Sequence, residues 1–209
     1  MTDFAALSID RFLAELASDA PTPGGGTAAA VCGAMGAALA EMVAGLTLSK
    51  EKFAQVHGAV RAIAESARAA RAELIALSRE DALAYDRVVA ARRLPKDSEA
   101  EKAARSAAIA QANRIATEVP MRTARAAVRL LTTLPELVEK GNPSAASDAG
   151  SAALLLESAA AAALLNVAIN LPGVKDPAFL ADMNRGMAEL TEESQRLRDM
   201  VLALAHKKF

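Results

Sequence analysis

Hydrophobic positions recur at helical spacing along most of the chain, and the strict alternation that marks a β-strand occurs nowhere. Ile9, Phe12, Leu13 and Leu16 fall on one stripe, and Ser8 stands where it would cap the helix they predict, Ile9 to Ala17. Pro21-Thr22-Pro23-Gly24-Gly25-Gly26-Thr27 then interrupts the pattern. Its prolines fix φ, and its glycines permit backbone angles that other residues rarely adopt. Thr27 is the expected cap of a helix running to about Ser49, in which Gly33, Gly36 and Ala40 form a small-residue face. A long helical pattern with an expected bend covers Glu51 to Arg92 and ends at Leu94-Pro95-Lys96-Asp97. Ser98 and Glu101 form a capping box opening a helix toward Leu134, where Pro120 predicts a kink or a split. A short helical turn from Pro135 to Lys140 reaches Gly141-Asn142-Pro143, and Ser144 or Ser147 starts an alanine-rich helix ending near Asn170. After a loop over Leu171 to Lys175, Asp176 as cap and Pro177 at the first helical position begin a terminal helix that runs nearly to Phe209.

The pattern predicts an all-α protein: one domain over residues 1–209, a bundle of six or seven helices with long central ones. Composition agrees. Hydrophobic residues make up 53% of the chain but aromatic ones only 3%, and 53 residues are alanine. A sandwich or barrel needs β-branched and aromatic side chains that are scarce here. The Ala/Gly faces are too extensive to be covered inside one small bundle, which predicts a homodimer. Two runs, Ala28 to Leu48 and Ala152 to Leu171, have the length of a bilayer span. They hold Glu41 and Glu157, each costing about 2.5–3.5 kcal/mol at a membrane centre, so buried helices of a soluble bundle are expected, with no membrane partner.

Charge and rare residues narrow the function. Lys and Arg number 24 against 25 Asp and Glu, with no basic block, which argues against a nucleic-acid partner. Cys32 is the one cysteine, and His57 and His206 lie far apart, so neither a metal site nor a histidine-driven triad is expected. Cys32 and His57 read as packing residues. Met1-Thr2-Asp3-Phe4 carries no basic or apolar leader pattern, which makes a cytoplasmic location the default.

Three interruptions of the alanine background concentrate polar groups. The Gly24–Gly26 loop offers backbone N–H groups and a helix dipole to a carboxylate or phosphate, or it is a tight turn between helices. Asp81 and Tyr85 share a helix face, with Asp86 beside them and Lys96 past the helix end, giving either a proton-transfer set or a solvated stripe. Gly141-Asn142-Pro143 precedes Ser147-Asp148-Ala149-Gly150, and Asn166 and Asn170 lie four apart on an apolar helix. Buried amides without partners cost roughly 1–3 kcal/mol each, so these bond either to backbone or to a ligand with amide-like edges.

In chain order, several blocks resemble the cyclodeaminase/cyclohydrolase family of folate enzymes. They are Pro21 to Ala29 running into Gly33 to Leu39, Met42-Val43 with Leu46-Thr47, Asp81 and Tyr85, Leu94-Pro95-Lys96, Glu101 to Arg105, Val119-Pro120, Gly141-Asn142, Ser147 to Gly150, and Asn166-Val167. That family comprises the formimidoyltetrahydrofolate cyclodeaminase domain and the stand-alone bacterial methenyltetrahydrofolate cyclohydrolase. Tyr85 departs from the phenylalanine usual there, which weakens the phenol as a catalyst.

The resemblance implies an all-helical homodimer with folate in a groove near the subunit interface. It nominates Gly24, Gly25, Gly26, Asp81, Lys96, Asn142, Ser147, Asp148 and Asn166 as groove residues. The reaction then points to Asp81, Asp148 and Lys96 for chemistry and to Asn142 and Asn166 for hydrogen bonds to the pterin edge. A 5,10-methenyl bridge is an amidinium cation, already electrophilic, so the expected substrate is a tetrahydrofolate derivative, polyglutamylated or not, handled without a prosthetic group. Asp81 or Asp148 is the expected base, and Lys96 either donates a proton or holds the carboxylate tail. With no formiminotransferase segment in the chain, the expected activity is cyclohydrolase. The alternatives are a cyclodeaminase releasing ammonia and a non-catalytic folate-binding scaffold.

Overall fold

The computed structural model describes residues 3–208; Met1, Thr2 and Phe209 lie outside the described residues. Seven α-helices follow one another: α1 (Ile9–Leu16), α2 (Gly25–Leu48), α3 (His57–Arg92), α4 (Glu99–Leu131), α5 (Leu134–Lys140), α6 (Ala146–Asn170) and α7 (Pro177–His206). Short 3₁₀ turns cover Phe4–Ala6, Glu51–Val56, Pro143–Ala145 and Leu171–Gly173, and no strand occurs among the described residues.

The alanine-rich helices α2 and α6 run antiparallel at the centre, in close contact. A Cβ built on Gly33 would lie 3.2 Å from Ala159 Cβ, and one on Gly36 would lie 2.9 Å from Leu156 Cγ and 3.0 Å from the Ala152 carbonyl. α3 and α4 flank this pair, and larger buried side chains come mostly from outside it: Leu74 and Leu77 of α3, Leu130 and Leu131 of α4, Leu134 and Leu137 of α5. Small faces at the centre let α2 and α6 approach closely, and leucines around them supply the larger buried side chains. Gly36→Ala should therefore destabilise the protein by about 1–3 kcal/mol through overpacking, despite the better helix propensity of alanine. Gly58→Ala, where a Cβ meets nothing within 4 Å, should cause no loss. Thermal melts of the two variants test the difference in sign.

Local helix signals hold up. Ser8 accepts from the Arg11 N–H at 3.3 Å, and Asp176 accepts from the Ala178 and Phe179 N–H groups. The Ser98–Glu101 capping box is complete in both directions. Three expectations are corrected. Gly24, not Thr27, caps α2, and Thr27 is its third helical residue, its hydroxyl donating to Asp81 Oδ2 at 2.9 Å. The long pattern from Glu51 divides, because Glu51–Val56 forms a 3₁₀ turn and α3 starts at His57. Pro120 does not split α4: it has no N–H for the Ala116 carbonyl, and Asn170 Nδ2 donates to that carbonyl instead, at 2.7 Å.

α2 and the Pro143–Gly173 run are both long and apolar enough to cross a membrane, by length and composition alone. Glu41 is engaged by Arg68 Nε at 2.9 Å and Arg71 Nε at 3.0 Å, and Glu157 lies 3.6 Å from Arg198. The outer faces of these two helices are apolar and uncovered, with Met35, Met42 and Leu46 on α2 and Leu154, Leu165 and Ile169 on α6. Ile9 and Leu13 of α1 are exposed too.

Candidate active site

The start of α2, the C-terminal third of α3, the middle of α4 and the end of α6 line a cavity of about 330 Å³. Gly24, Gly25 and Gly26 form one wall, and Asp81, Tyr85, Val88 and Arg92 another. Asn113 and Ala116 of α4 and Asn166, Ile169 and Asn170 of α6 complete it. The α3 residues recur at helical spacing, so one face of that helix carries an acid at one end and a guanidinium about 16 Å away at the other.

Asp81 is the centre of the arrangement. Its carboxylate sits over the first turn of α2, where N–H groups lack intrahelical partners, and it takes bonds from both the hydroxyl and the N–H of Thr27. Burial pushes its pKa above the usual carboxylate range, and the Thr27 bonds pull it partly back. Among the described residues it has no Lys, Arg or His within ion-pair distance. A negative charge is thus held in a cavity, oriented by a helix start and left without a counter-ion.

The glycine triplet serves this contact in a way the sequence reading did not anticipate. No described glycine has a positive φ. The triplet matters for what it lacks: a Cβ on Gly26 would lie 2.6 Å from Asp81 Cγ, and one on Gly25 would lie 3.3 Å from Asn166 Nδ2.

The remaining nominated residues lie elsewhere. Asn142 is buried near the opposite end of α2, where its N–H donates to Thr47 Oγ1 at 2.9 Å and its Oδ1 accepts from the Ser144 N–H. Ser147 is exposed and Asp148 half-buried in the first turn of α6. Thr27 and Thr47 mark the two ends, about 30 Å apart at 1.5 Å per residue. Within one protomer, Asp81 and Asp148 therefore belong to separate clusters.

Lys96 is in neither. It lines a second cavity of about 360 Å³ with Lys102, Arg105 and Lys175. The two cavities share a wall. Asn113 of the first donates to the carbonyl of Gly173 in the second, and Arg105 of the second donates twice to the carbonyl of Arg92 in the first. Arg92 and Asn113 were not singled out in the sequence. Arg92 was findable as the residue continuing the Asp81–Tyr85 face, whereas nothing local distinguishes Asn113.

Cys32 is half-buried, its thiol donating to the Leu155 carbonyl, and burial raises its pKa. His57 opens α3, a ring nitrogen 3.3 Å from the Lys50 carbonyl. Among the described residues no three His, Cys, Asp or Glu side chains gather as a metal site requires.

The chain belongs to the formiminotransferase-cyclodeaminase family, whose model matches residues 8–205. Among its relatives, a methenyltetrahydrofolate cyclohydrolase of Methylorubrum extorquens is 38% identical over 96% of this chain and 97% of its own length. The formimidoyltransferase-cyclodeaminase of Sus scrofa is 36% identical, and this chain spans 35% of that longer protein. The crystal structure of a formiminotetrahydrofolate cyclodeaminase from Thermotoga maritima superposes with a TM-score of 0.86 at 32% identity, covering 97% of both chains.

Proposed function

We propose that this protein is a methenyltetrahydrofolate cyclohydrolase, converting 5,10-methenyltetrahydrofolate and water into 10-formyltetrahydrofolate and a proton. The observation that carries the proposal is the Asp81 carboxylate, fixed at the start of α2 and facing a cavity, with no cation among the described residues within ion-pair distance of it. The methenyl bridge is a cation. Support for the hydrolytic member of the family comes from the Methylorubrum relative, which this chain matches over nearly its whole length.

Asp81 stabilises the bridge electrostatically and accepts a proton as water adds to its carbon. The tetrahedral adduct then collapses: the carbon–N5 bond breaks, N5 takes the proton back from Asp81, and the hydroxyl proton leaves to solvent as the formyl carbonyl forms on N10. The groove is polar in the right sense for this substrate. Its acidic end receives the pterin and the bridge, and Arg92 leads the benzoylglutamate toward the neighbouring cavity, where Lys96, Lys102, Arg105 and Lys175 attract its carboxylates, one or several. Lys96 is thus assigned to the tail and not to the leaving nitrogen.

We infer further that the protein acts as a homodimer. The uncovered apolar faces of α2 and α6 adjoin, and a two-fold axis across the middle of α2 would set two copies antiparallel. That pairing brings the Asn142–Ser147–Asp148 end of one protomer toward the partner subunit's Asp81, joining clusters that lie about 30 Å apart in the monomer.

Two measurements test this. Purified protein given 5,10-methenyltetrahydrofolate should remove the methenyl absorbance well above the buffer rate, while formimidoyltetrahydrofolate should release no ammonia. Ammonia release with no hydrolysis would make it a cyclodeaminase instead. Mixing and refolding Asp81→Asn with Asp148→Asn protein should restore about a quarter of wild-type activity, since half the dimers are mixed and each holds one intact site. A monomer by light scattering, or no recovery from two inactive variants, would overturn the shared site.

A further inference from the structure

We propose that Asn113, Asn166 and Asn170 act together as a set of hydrogen-bond acceptors that selects the ligand by its N–H edge, the 2-amino-4-oxopyrimidine end of the pterin. The proposal rests on the folate reading above and adds to it the residues that recognise that end.

Each of the three amides lines the cavity, and each has one N–H of its NH₂ group bonded to a main-chain carbonyl. Asn113 Nδ2 donates to Gly173 at 2.9 Å, Asn166 Nδ2 to Ala162 at 2.9 Å, and Asn170 Nδ2 to Ala116 at 2.7 Å. A carbonyl oxygen accepts only from the nitrogen side of an amide, so the carbonyls fix which way each amide is turned. The oxygens are left over. Among the described residues nothing donates to any of the three Oδ1 atoms, yet no buried side-chain polar atom lacks a partner, so these oxygens reach solvent.

Each carbonyl is placed for a reason. That of Ala116 is free because Pro120 has no N–H to give it. That of Gly173 ends the 3₁₀ turn after α6, where a Cβ on Gly173 would lie 2.8 Å from Asn113 Cγ. Gly25, with no side chain, leaves the Asn166 amide uncovered.

At this end of the cavity the three amides together present oxygen acceptors, while Asp81 is left to the bridge. A tetrahydropterin presents the complement: N3–H and the 2-amino group lie side by side on its pyrimidine ring, and N8–H follows beyond the acceptor N1. An analogue without the amino group would close the cavity over acceptors that have lost water and gained nothing, a penalty worth roughly ten- to a hundredfold in affinity.

The test is calorimetric titration of the full chain with 5-formyltetrahydrofolate and with its 2-desamino-2-methyl counterpart. Wild type should prefer the amino compound at least about tenfold, and Asn113→Ala and Asn166→Ala should each reduce that preference threefold or more. Asn170→Ala also uncaps Ala116, so its circular dichroism is read first, and the other two variants decide the outcome if it unfolds. A variant that weakens both ligands equally shows a structural role and overturns the assignment for that residue. Wild type binding both compounds alike overturns the acceptor set while leaving the folate reading intact. Failure to bind either compound overturns the folate reading itself, and the acceptor set with it.

Discussion

Asp81→Asn is expected to lower turnover of 5,10-methenyltetrahydrofolate by at least about a hundredfold while the protein stays folded. Asparagine has the same shape, and its Oδ1 still accepts from Thr27, so the start of α2 keeps a partner. The negative charge facing the cation is lost, and with it the group that takes a proton from water. Because burial holds the wild-type carboxyl above the usual range, the wild-type rate should also fall as pH drops through that raised value, and the variant's residual rate should not.

Stability should move the other way. The folded protein binds the Asp81 proton more tightly than the unfolded chain does. Its stabilising contribution is therefore full below the ordinary carboxylate value of about 4 and declines as pH rises through the higher native value. Above that window the wild type carries a desolvated charge that asparagine lacks, so the variant should melt no lower than wild type at neutral pH. Initial rates and thermal melts between about pH 4 and 8 check both statements. A variant keeping more than about a third of the rate would remove Asp81 from the chemistry.

Gly26→Ala is expected to reduce the same rate by roughly tenfold or more without altering any reacting group. The new methyl would stand 2.6 Å from Asp81 Cγ, so either the carboxylate leaves Thr27 or α2 and α3 move apart. Both displace the charge relative to the bridge, and a misplacement of 1 Å can cost about a hundredfold in rate. A double-mutant cycle isolates the cause. With Asp81→Ala as background the clash is gone, and Gly26→Ala should then be neutral or stabilise by about 1 kcal/mol, the helix preference for alanine over glycine. If Gly26→Ala lowers the melting temperature equally in both backgrounds, the clash with Asp81 is not its cause.

What could be read from the sequence was local. Ser8, the Ser98–Glu101 box and Asp176 begin helices where expected because a cap and its partner lie within three residues of each other. Pro120 shows the limit of such reading: α4 runs on through it without the split that was one expectation, and the freed carbonyl is taken by Asn170, a residue 50 positions later. The glycine triplet shows it again. From sequence the glycines implied unusual φ angles, but the structure uses them as absent side chains against Asp81 and Asn166, contacts that depend on how α2, α3 and α6 assemble. For the same reason Lys96 and Asp148, set beside Asp81 by resemblance, belong to different parts of one protomer.

Helix α2 carries Thr27 at one end and Thr47 at the other, each gripping the polar cluster beside it. The helix is in effect a ruler. One extra residue in its middle would swing everything beyond it through about 100° and advance it by about 1.5 Å, whereas seven would nearly restore the facing at the expense of about 10 Å. Length changes in this family should therefore gather in the connections outside α2, leaving the distance between its threonines as a constant against which both ends are built.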